Sequence, residues 1–401
     1  MLQRPSSLCI AFHAAALALA LTACRSEGEL YGVETEDTSV ALGVSHAAVV
    51  DTAEFDLWFD EAMERGELMG AALLAREGEV LWHRAHGAAE LGPGGEVLRP
   101  LTEASIFELA SVGKAFTAMA VLTLVEAGEV DLEAPVATYL PSFPYADTRV
   151  DHLLTHTSGL VDYLEGMEPA DAPDGWVHNE DVVAWVAAER VERRFAPGAS
   201  YAYSNTNYVL LASIVMAVSG QEFGDYLREH VLEPLDIQRT FSFTTRFAGS
   251  TPGTIVTTVP GDYAFGYERT PAGALLLPEL MPGGEELLSV STVHGDGTVV
   301  ADLRDFAKWE AAWSTDVLIS DALRERALSP TTLNDGSTSA YGFGWGTRAG
   351  SPWVGHSGGW PGYATNVMFD PVSRTILVFA VTAPVRDWSF MGELEGLLAE
   401  L

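Results

Sequence analysis

Apolar positions first gather into a helical pattern near residue 51. Phe55, Leu57, Trp58 and Met63 share roughly one helix face, and acidic residues occupy the first turn, where the helix dipole favours them. Two short apolar stretches follow, Gly70–Arg76 and Glu79–Gly87. Glu77-Gly78 between them predicts a tight hairpin. Ser111–Ala127 is long and almost continuously apolar, which predicts a buried helix with Gly128 as its stop signal. Further helices are predicted at Asn179–Glu189, Asn205–Val218 and Phe223–Val231, separated by loops rich in Pro and Gly. Residues 245–290 hold Pro252, Gly253, Pro260, Gly261, Pro282, Gly283 and Gly284, a loop region suited to rim a pocket. Beyond a helix near Asp302–Trp313, strands are predicted at Tyr341–Thr347, Ser351–Val354, Ala364–Asp370 and Thr375–Thr382. A helix at about Trp388–Leu398 follows them.

Strands near both ends with helices between them predict an α+β fold, an α/β sandwich. Its mainly antiparallel sheet is built from both chain ends and flanked by helices, with a helical subdomain inserted at roughly 130–240. No internal repeat is visible.

The first residues do not fit this pattern. Arg4 begins a short basic segment, and Leu8–Leu21 is apolar but too short to span a bilayer. Leu21-Thr22-Ala23-Cys24 then looks like a lipoprotein processing site, with small residues before a cysteine. The expectation is a signal peptide at 1–23, a lipid on Cys24, an acidic tether over 24–50 and one folded domain over 51–401; the alternative is a plain secretory signal cut nearby. Cys9 lies in the leader, so the mature fold holds no cysteine pair, and Cys24 suggests an anchor and not a staple. Residue 25 is Arg and not Asp, and by resemblance to Gram-negative lipoproteins this implies the periplasmic side of an outer membrane.

Of 401 residues, 48% are hydrophobic and 19% charged, enough for a full core. The formal net charge of −34 excludes nucleic-acid binding through a basic surface and leaves the lipid anchor as the only membrane contact expected. A monomer acting on a small-molecule or peptide substrate is expected, with no cofactor and no metal. His83 and His86 sit three apart on a predicted strand, which puts them on opposite faces, and no H-E-x-x-H run exists.

The lysines carry the chemistry. Among 22 basic residues only Lys114 and Lys308 are lysine. Arg supplies charge everywhere else, and Arg cannot release a proton. Lys114 lies three residues after Ser111, a spacing that on a helix brings its amine to the hydroxyl, at a helix start that favours developing negative charge. This reads as a nucleophile beside its base; the plainer alternative is a capping serine and a surface lysine. Lys308 reads as a solvated helix position. Tyr203 and Asn205, two apart on a polar turn before a helix, suit proton relay and amide recognition; equally, Tyr203 would be core and Asn205 a cap. Gly355-His356-Ser357-Gly358-Gly359-Trp360 reads as a turn-like segment after one strand and before another. Its glycines would admit substrate, the Gly359 N–H with that of Ser111 would hold an oxyanion, and His356 would add a titratable group.

Ser111-x-x-Lys114, Tyr203-x-Asn205 and His356-x-Gly358, in that order, resemble the three signature motifs of serine β-lactamases and low-molecular-weight penicillin-binding proteins. Asp151-His152-Leu153-Leu154-Thr155-His156-Thr157-Ser158-Gly159-Leu160 and the Gly355–Pro361 turn are similar to the branch holding class C β-lactamases, D-aminopeptidases, D,D-carboxypeptidases and esterases. The resemblance spans roughly residues 50–400. It implies an acyl-enzyme on Ser111, proton transfer by Lys114 and Tyr203, and substrate contacts from Asn205, His356, Ser357, Gly358 and Gly359. His156 and Gly159 are taken as structural. Class C β-lactamases carry Lys where this chain has His356, the pattern of some carboxypeptidases and aminopeptidases.

The leading expectation is therefore a hydrolase of amides or peptides, on small or D-amino-acid-containing substrates, with an esterase of the same fold beside it. A non-catalytic module that holds cell-wall peptide is the alternative of a different class. Gly355–Gly359 also matches G-x-S-x-G, but a strand follows where a nucleophile elbow needs a helix, and no histidine comes later.

Overall fold

The computed structural model describes residues 52–64, 69–167, 175–189, 192–244, 259–282, 284–348, 350–385, 393–394 and 396–397. The chain divides into units at residues 1–50 and 51–401. The leader, Cys24 and the tether all lie outside the described residues, as do 245–258 of the expected rim and most of the expected last helix.

Strands β1 (Gly70–Arg76) and β2 (Glu79–His86) form the predicted hairpin. Its turn works because Glu77 and Gly78 both take positive φ, 50° and 85°, the twist a two-residue connection needs. Strands β3 (Ala88–Leu91) and β4 (Val97–Pro100) make a second hairpin, and β5 (Ile106–Glu108) leads to the site. Later come β6 (Thr240–Ser242), a β7–β8 hairpin (Glu268–Arg269, Leu275–Leu276), β9 (Val299–Asp302) and a β10–β11 hairpin (Thr331–Thr332, Thr338–Ser339). The chain then returns through β12 (Val354–Trp360), β13 (Tyr363–Asp370) and β14 (Thr375–Val381). The main sheet has the order β12-β13-β14-β1-β2 and is antiparallel throughout, so both ends of the folded chain build it, as the pattern predicted. Its middle strands β14 and β1 are apolar along nearly their whole length because both faces are covered. A smaller sheet, β5-β9-β6, was not legible in the sequence.

Helix α1 (Ala53–Glu64) packs on β2, with Phe55, Trp58, Phe59 and Ala62 buried and the rings of Phe55, Trp58 and Phe59 against Trp82. The true stripe follows i, i+3, i+4, i+7, and that rotation leaves Leu57, expected on the buried face, 60% exposed. Helix α2 (Gly113–Glu126) is buried almost all round, and Gly128 ends it at φ 74°. The helical insertion holds α3 (Val150–Leu154), α4 (Tyr163–Gly166), α5 (Asn179–Glu189), α6 (Asn205–Ser219) and α7 (Phe223–Leu227). The expected helix to Val231 loosens at Arg228–Leu232 into a wider turn. Pro234, next in line, cannot donate an N–H back into it. After α8 (Gly284–Ser289), helices α9 (Phe306–Ser314) and α10 (Asp321–Leu328) follow, with α9 packed on β14 and β1. Lys308 on α9 is exposed as expected, and it binds Asp236.

Two expectations near the chain's end fail. Tyr341–Thr347 is not a strand and contributes only single bridges, Tyr341 to Gly346 and Gly346 to Gly355, and of Ser351–Val354 only Val354 is strand, as the first residue of β12. The segment expected as a turn is itself the edge strand β12, and the turn falls at Pro361-Gly362, with Gly362 at φ 83°. Three glycines depress strand propensity there, and pairing along the whole of β13 overrides it.

Candidate active site

Ser111 sits where β5 runs into α2. The chain turns through Ala110 at φ 46°, a left-handed conformation that costs a non-glycine residue about 1–2 kcal/mol. The neighbours hold it there: Leu109 N–H donates to Val299 O (2.9 Å), and Leu109 O accepts from Thr365 Oγ1 (2.6 Å). Ser111 lies in a tight 3₁₀ turn, Ala110–Val112, just before α2 and not within it. The i, i+3 relation to Lys114 survives, because side chains three apart eclipse in such a turn.

Lys114 is wholly buried, and its three N–H groups have three acceptors. They are Ser111 Oγ at 3.1 Å, Asn205 Oδ1 at 2.7 Å and the Asp296 carbonyl at 2.5 Å. Burial pulls its pKa down to about 8, with Asp296 and Asp162 opposing that pull. Asn205 begins α6, and its amide has one orientation: Oδ1 accepts from Lys114 while Nδ2 donates to Asp162 Oδ2 at 2.9 Å. Asp162 also accepts from the Asn205 and Leu164 N–H groups, at 2.8 and 3.0 Å. The Asp296 carboxylate accepts from the Tyr163 hydroxyl at 2.9 Å. Burial raises the pKa of both acids, and Lys114 works against it.

Asp162, Tyr163 and Asp296 were not singled out from the sequence. A signal existed for Asp296, an acid between Gly295 and Gly297 ahead of the apolar run Val299–Ala301. Asp162 lies two residues beyond the Thr157-Ser158-Gly159-Leu160 segment that was noticed.

Tyr203 lies beside Lys114, whose Nζ is 5.0 Å from the ring centroid. Its buried hydroxyl makes no hydrogen bond of normal geometry among the described residues. Burial holds its pKa well above 10, and neighbouring Ser111 is the group that lowers it. His156 is structural, as expected, but it belongs to the wall of the site. Its ring lies 4.3 Å from that of Tyr203, and its Nδ1 accepts from Ser204 N–H at 3.2 Å. Gly159 is structural too: at φ 77°, a Cβ there would strike the Phe195 carbonyl at 2.2 Å.

His356 is brought to the same site, where it was expected to add a titratable group, and burial keeps it neutral there. Burial, aided by Lys114, lowers its pKa to about 3. Its Nδ1 lies 2.7 Å from the Ser357 carbonyl, which can only accept, so Nδ1 carries the proton and Nε2 accepts from Tyr341 OH at 2.8 Å. Tyr341, also missed in the sequence, thus completes a neutral imidazole pair.

The direction of the β12 backbone follows from one pairing. Gly355 exchanges both its backbone hydrogen bonds with Gly346, on the side away from β13. Alternation then turns the N–H groups of Ser357 and Gly359 to the same open edge, while His356, Gly358 and Trp360 pair with β13. Gly358 passes so close to the serine turn that a Cβ would lie 2.2 Å from Leu109 O and 3.1 Å from Ser111 N. The next peptide N–H, that of Gly359, therefore opens beside Ser111. G-x-S-x-G here lies on a strand followed by a strand, so it is no nucleophile elbow. His83 is buried and His86 exposed on β2, the opposite faces expected.

A sheet closed by both chain ends, a central buried helix behind a serine turn and an inserted helical layer define the architecture of the β-lactamases and penicillin-binding proteins. The penicillin-binding protein from Bacillus halodurans superposes with a TM-score of 0.69 at 25% identity, over 84% of this chain and 99% of that one. The family model described as Beta-lactamase matches residues 55–399, and the chain belongs to that family. Penicillin-binding protein 4* of Bacillus subtilis is 35% identical over 326 residues, 80% of this chain and 69% of the relative. Esterase EstB of Burkholderia gladioli is 37% identical over 201 residues, 46% of this chain and 50% of the relative. Proteins named D-aminopeptidase are also among the relatives.

Proposed function

We propose that this protein is a serine hydrolase that cleaves small amides or esters, D-amino-acid derivatives among them, through an acyl-enzyme on Ser111. The observation that carries this reading is the set of acceptors around Lys114. In the free-amine form, Lys114 keeps two N–H groups, and Asn205 Oδ1 and the Asp296 carbonyl are fixed to receive them. The remaining direction, the lone pair, is aimed at Ser111 Oγ. A lysine at about 8 in place of 10.5 has roughly 300 times more free base at pH 7. Ser111 Oγ attacks the carbonyl carbon, its proton passes to Lys114, and the N–H groups of Ser111 and Gly359 receive the oxyanion. Tyr203, kept protonated by burial, gives its proton to the leaving nitrogen or oxygen and recovers one from Lys114. Water then releases the acyl group by the reverse proton path.

Similarity to an esterase and to D-aminopeptidases supports the two substrate classes about equally. Intact-mass analysis of residues 25–401 after treatment with a fluorophosphonate tests the reading. One adduct on the wild type and none on Ser111→Ala is expected. Folded wild type that takes no adduct and turns over no activated ester would overturn it in favour of a peptide-binding module. We also propose export and acylation at Cys24. A clickable palmitate analogue should label the full chain in cells, and labelling that persists in Cys24→Ser would refute that.

A further inference from the structure

We infer that Asn179 and Thr117 are positioning residues for the Ser111–Lys114 pair: together they set the loop Val293–Gly297, and with it the Asp296 carbonyl that helps aim the lysine at the serine. The inference rests on the hydrolase reading above and deepens it by naming what keeps its base in line.

Besides Ser111, Lys114 has one acceptor at a helix start and one on a loop. Asn205 Oδ1 is fixed at the start of α6 by Asp162. The Asp296 carbonyl lies in a segment with no helix or strand of its own, between α8 and β9. A carbonyl there keeps its place only if its neighbours are held. Four successive carbonyls each accept from a side chain. Val293 O takes Thr298 Oγ1 at 2.9 Å, His294 O takes Asn179 Nδ2 at 3.0 Å, Gly295 O takes Thr117 Oγ1 at 2.7 Å, and Asp296 O takes Lys114. Thr117 stands three residues after Lys114 on α2, so one helix face presents both donors to adjacent carbonyls.

Asn179 does more than fill one bond. Its Oδ1 accepts from the His294 N–H at 2.8 Å, so the amide grips that residue by both backbone groups. Its Nδ2 also donates to the Val209 carbonyl at 3.2 Å, on α6 about one turn beyond Asn205. Only this orientation of the amide matches donor and acceptor to all three partners. One buried side chain therefore ties together the two elements that carry these two acceptors of the lysine. The fit leaves little slack: a Cβ on Gly295 would lie 2.3 Å from the Tyr208 carbonyl of α6. With the Asn179 amide gone, His294 loses its grip on both sides, and the carbonyl two residues on is free to drift from Lys114.

The test follows hydrolysis of 4-nitrophenyl acetate against pH by the full-length protein, with rates divided by the sites that a fluorophosphonate titrates at completion. Asn179→Ala and Thr117→Val should each lower kcat by about tenfold, with KM changed by less than about twofold. Losing an acceptor disfavours the ammonium form, so the kcat/KM inflection set by Lys114 should also move to lower pH, by about half a unit or more. Asp162, Asp296, Tyr203, Tyr208, His156 and His356, the titratable groups around Lys114, are untouched by these substitutions. Thr117→Ser keeps the hydroxyl and should retain the wild-type inflection and most of the kcat. A merely structural role would cost folded, titratable protein and leave kcat per site and the inflection where they were. Wild-type kcat and inflection in Asn179→Ala would overturn the inference. Thr117→Val that matches Thr117→Ser would overturn it too, and that pair decides the matter if Asn179→Ala does not fold. Wild type that hydrolyses no ester and takes no adduct on Ser111 would remove the hydrolase reading and this inference with it.

Discussion

Lys114 and Asn205 are joined by a 2.7 Å hydrogen bond from Nζ to Oδ1, and that contact decides which way the Asn205 amide faces. Were the amide turned over, its NH₂ would confront an ammonium and its oxygen would confront the Asp162 carboxylate. Asp162 therefore acts through Asn205 to present an acceptor to Lys114 and to orient the amine toward Ser111. It is a positioning residue.

Asp162→Asn should accordingly slow fluorophosphonate labelling of Ser111 by about 10- to 100-fold, the worth of one charge-assisted hydrogen bond. Asp162 also raises the Lys114 pKa, so the pH profile of labelling should move to lower pH in the variant. A merely structural loss would lower the rate without moving the profile, and stopped-time labelling between pH 5 and 10 separates the two.

On the proposed mechanism the free amine of Lys114 is the reactive form, so wild-type kcat/KM should rise with pH and level off above about 8, where burial sets the pKa of that amine. Lys114→Arg keeps the charge but cannot release a proton. It should lose activity by roughly 10²–10⁴-fold and show no such rise. A variant that kept the same profile would transfer the base role to another group.

The hairpin at 77–78, the helix behind Ser111 and the sheet built from both chain ends were legible because each is written in local signals: two turn residues, an unbroken apolar run, strand periods at both termini. Ser111, Lys114, Tyr203, Asn205 and Gly358 were legible as spacings, and the fold brings all five together. What stayed hidden is long-range. Asp296 meets Lys114 across 182 positions, and Tyr341 meets His356 from a segment with no regular structure of its own. The neutrality of His356 is a property of its burial, which no spacing reveals. The face of α1 was misjudged at Leu57 because six apolar residues among the nine from Phe55 to Met63 allow more than one stripe, and only packing on Trp82 chooses between them.

Gly358→Ala should damage stability and activity together. The added methyl meets the backbone oxygen of Leu109 and the Thr365 hydroxyl at about the same spot, so either β12 or the serine turn must move. Overpacking of this kind costs about 1–3 kcal/mol. Gly359→Ala, with open space around its Cβ, is the matched control and should unfold at nearly the wild-type urea midpoint.

The last expectation concerns acid. His356 has a folded-state pKa of about 3, against 6.5 for an unburied histidine, because burial and Lys114 disfavour its charged form. Between those values the unfolded chain binds the extra proton and the folded chain does not. Stability then falls as pH drops from about 6.5 toward 3, by up to about 1.4 kcal/mol per pH unit from this residue. His156, held well below 6.5 mainly by burial, adds a loss of the same sign. His356→Gln removes the first contribution and keeps a polar partner for Tyr341. Its Tm should lie below that of the wild type at pH 7.5, and the difference should shrink steadily as the pH is lowered to 4.5. Two Tm curves that stay parallel across that range would mean that His356 takes up its proton in the folded protein as readily as in the unfolded chain. The neutral pairing with Tyr341 and Ser357 would then be wrong.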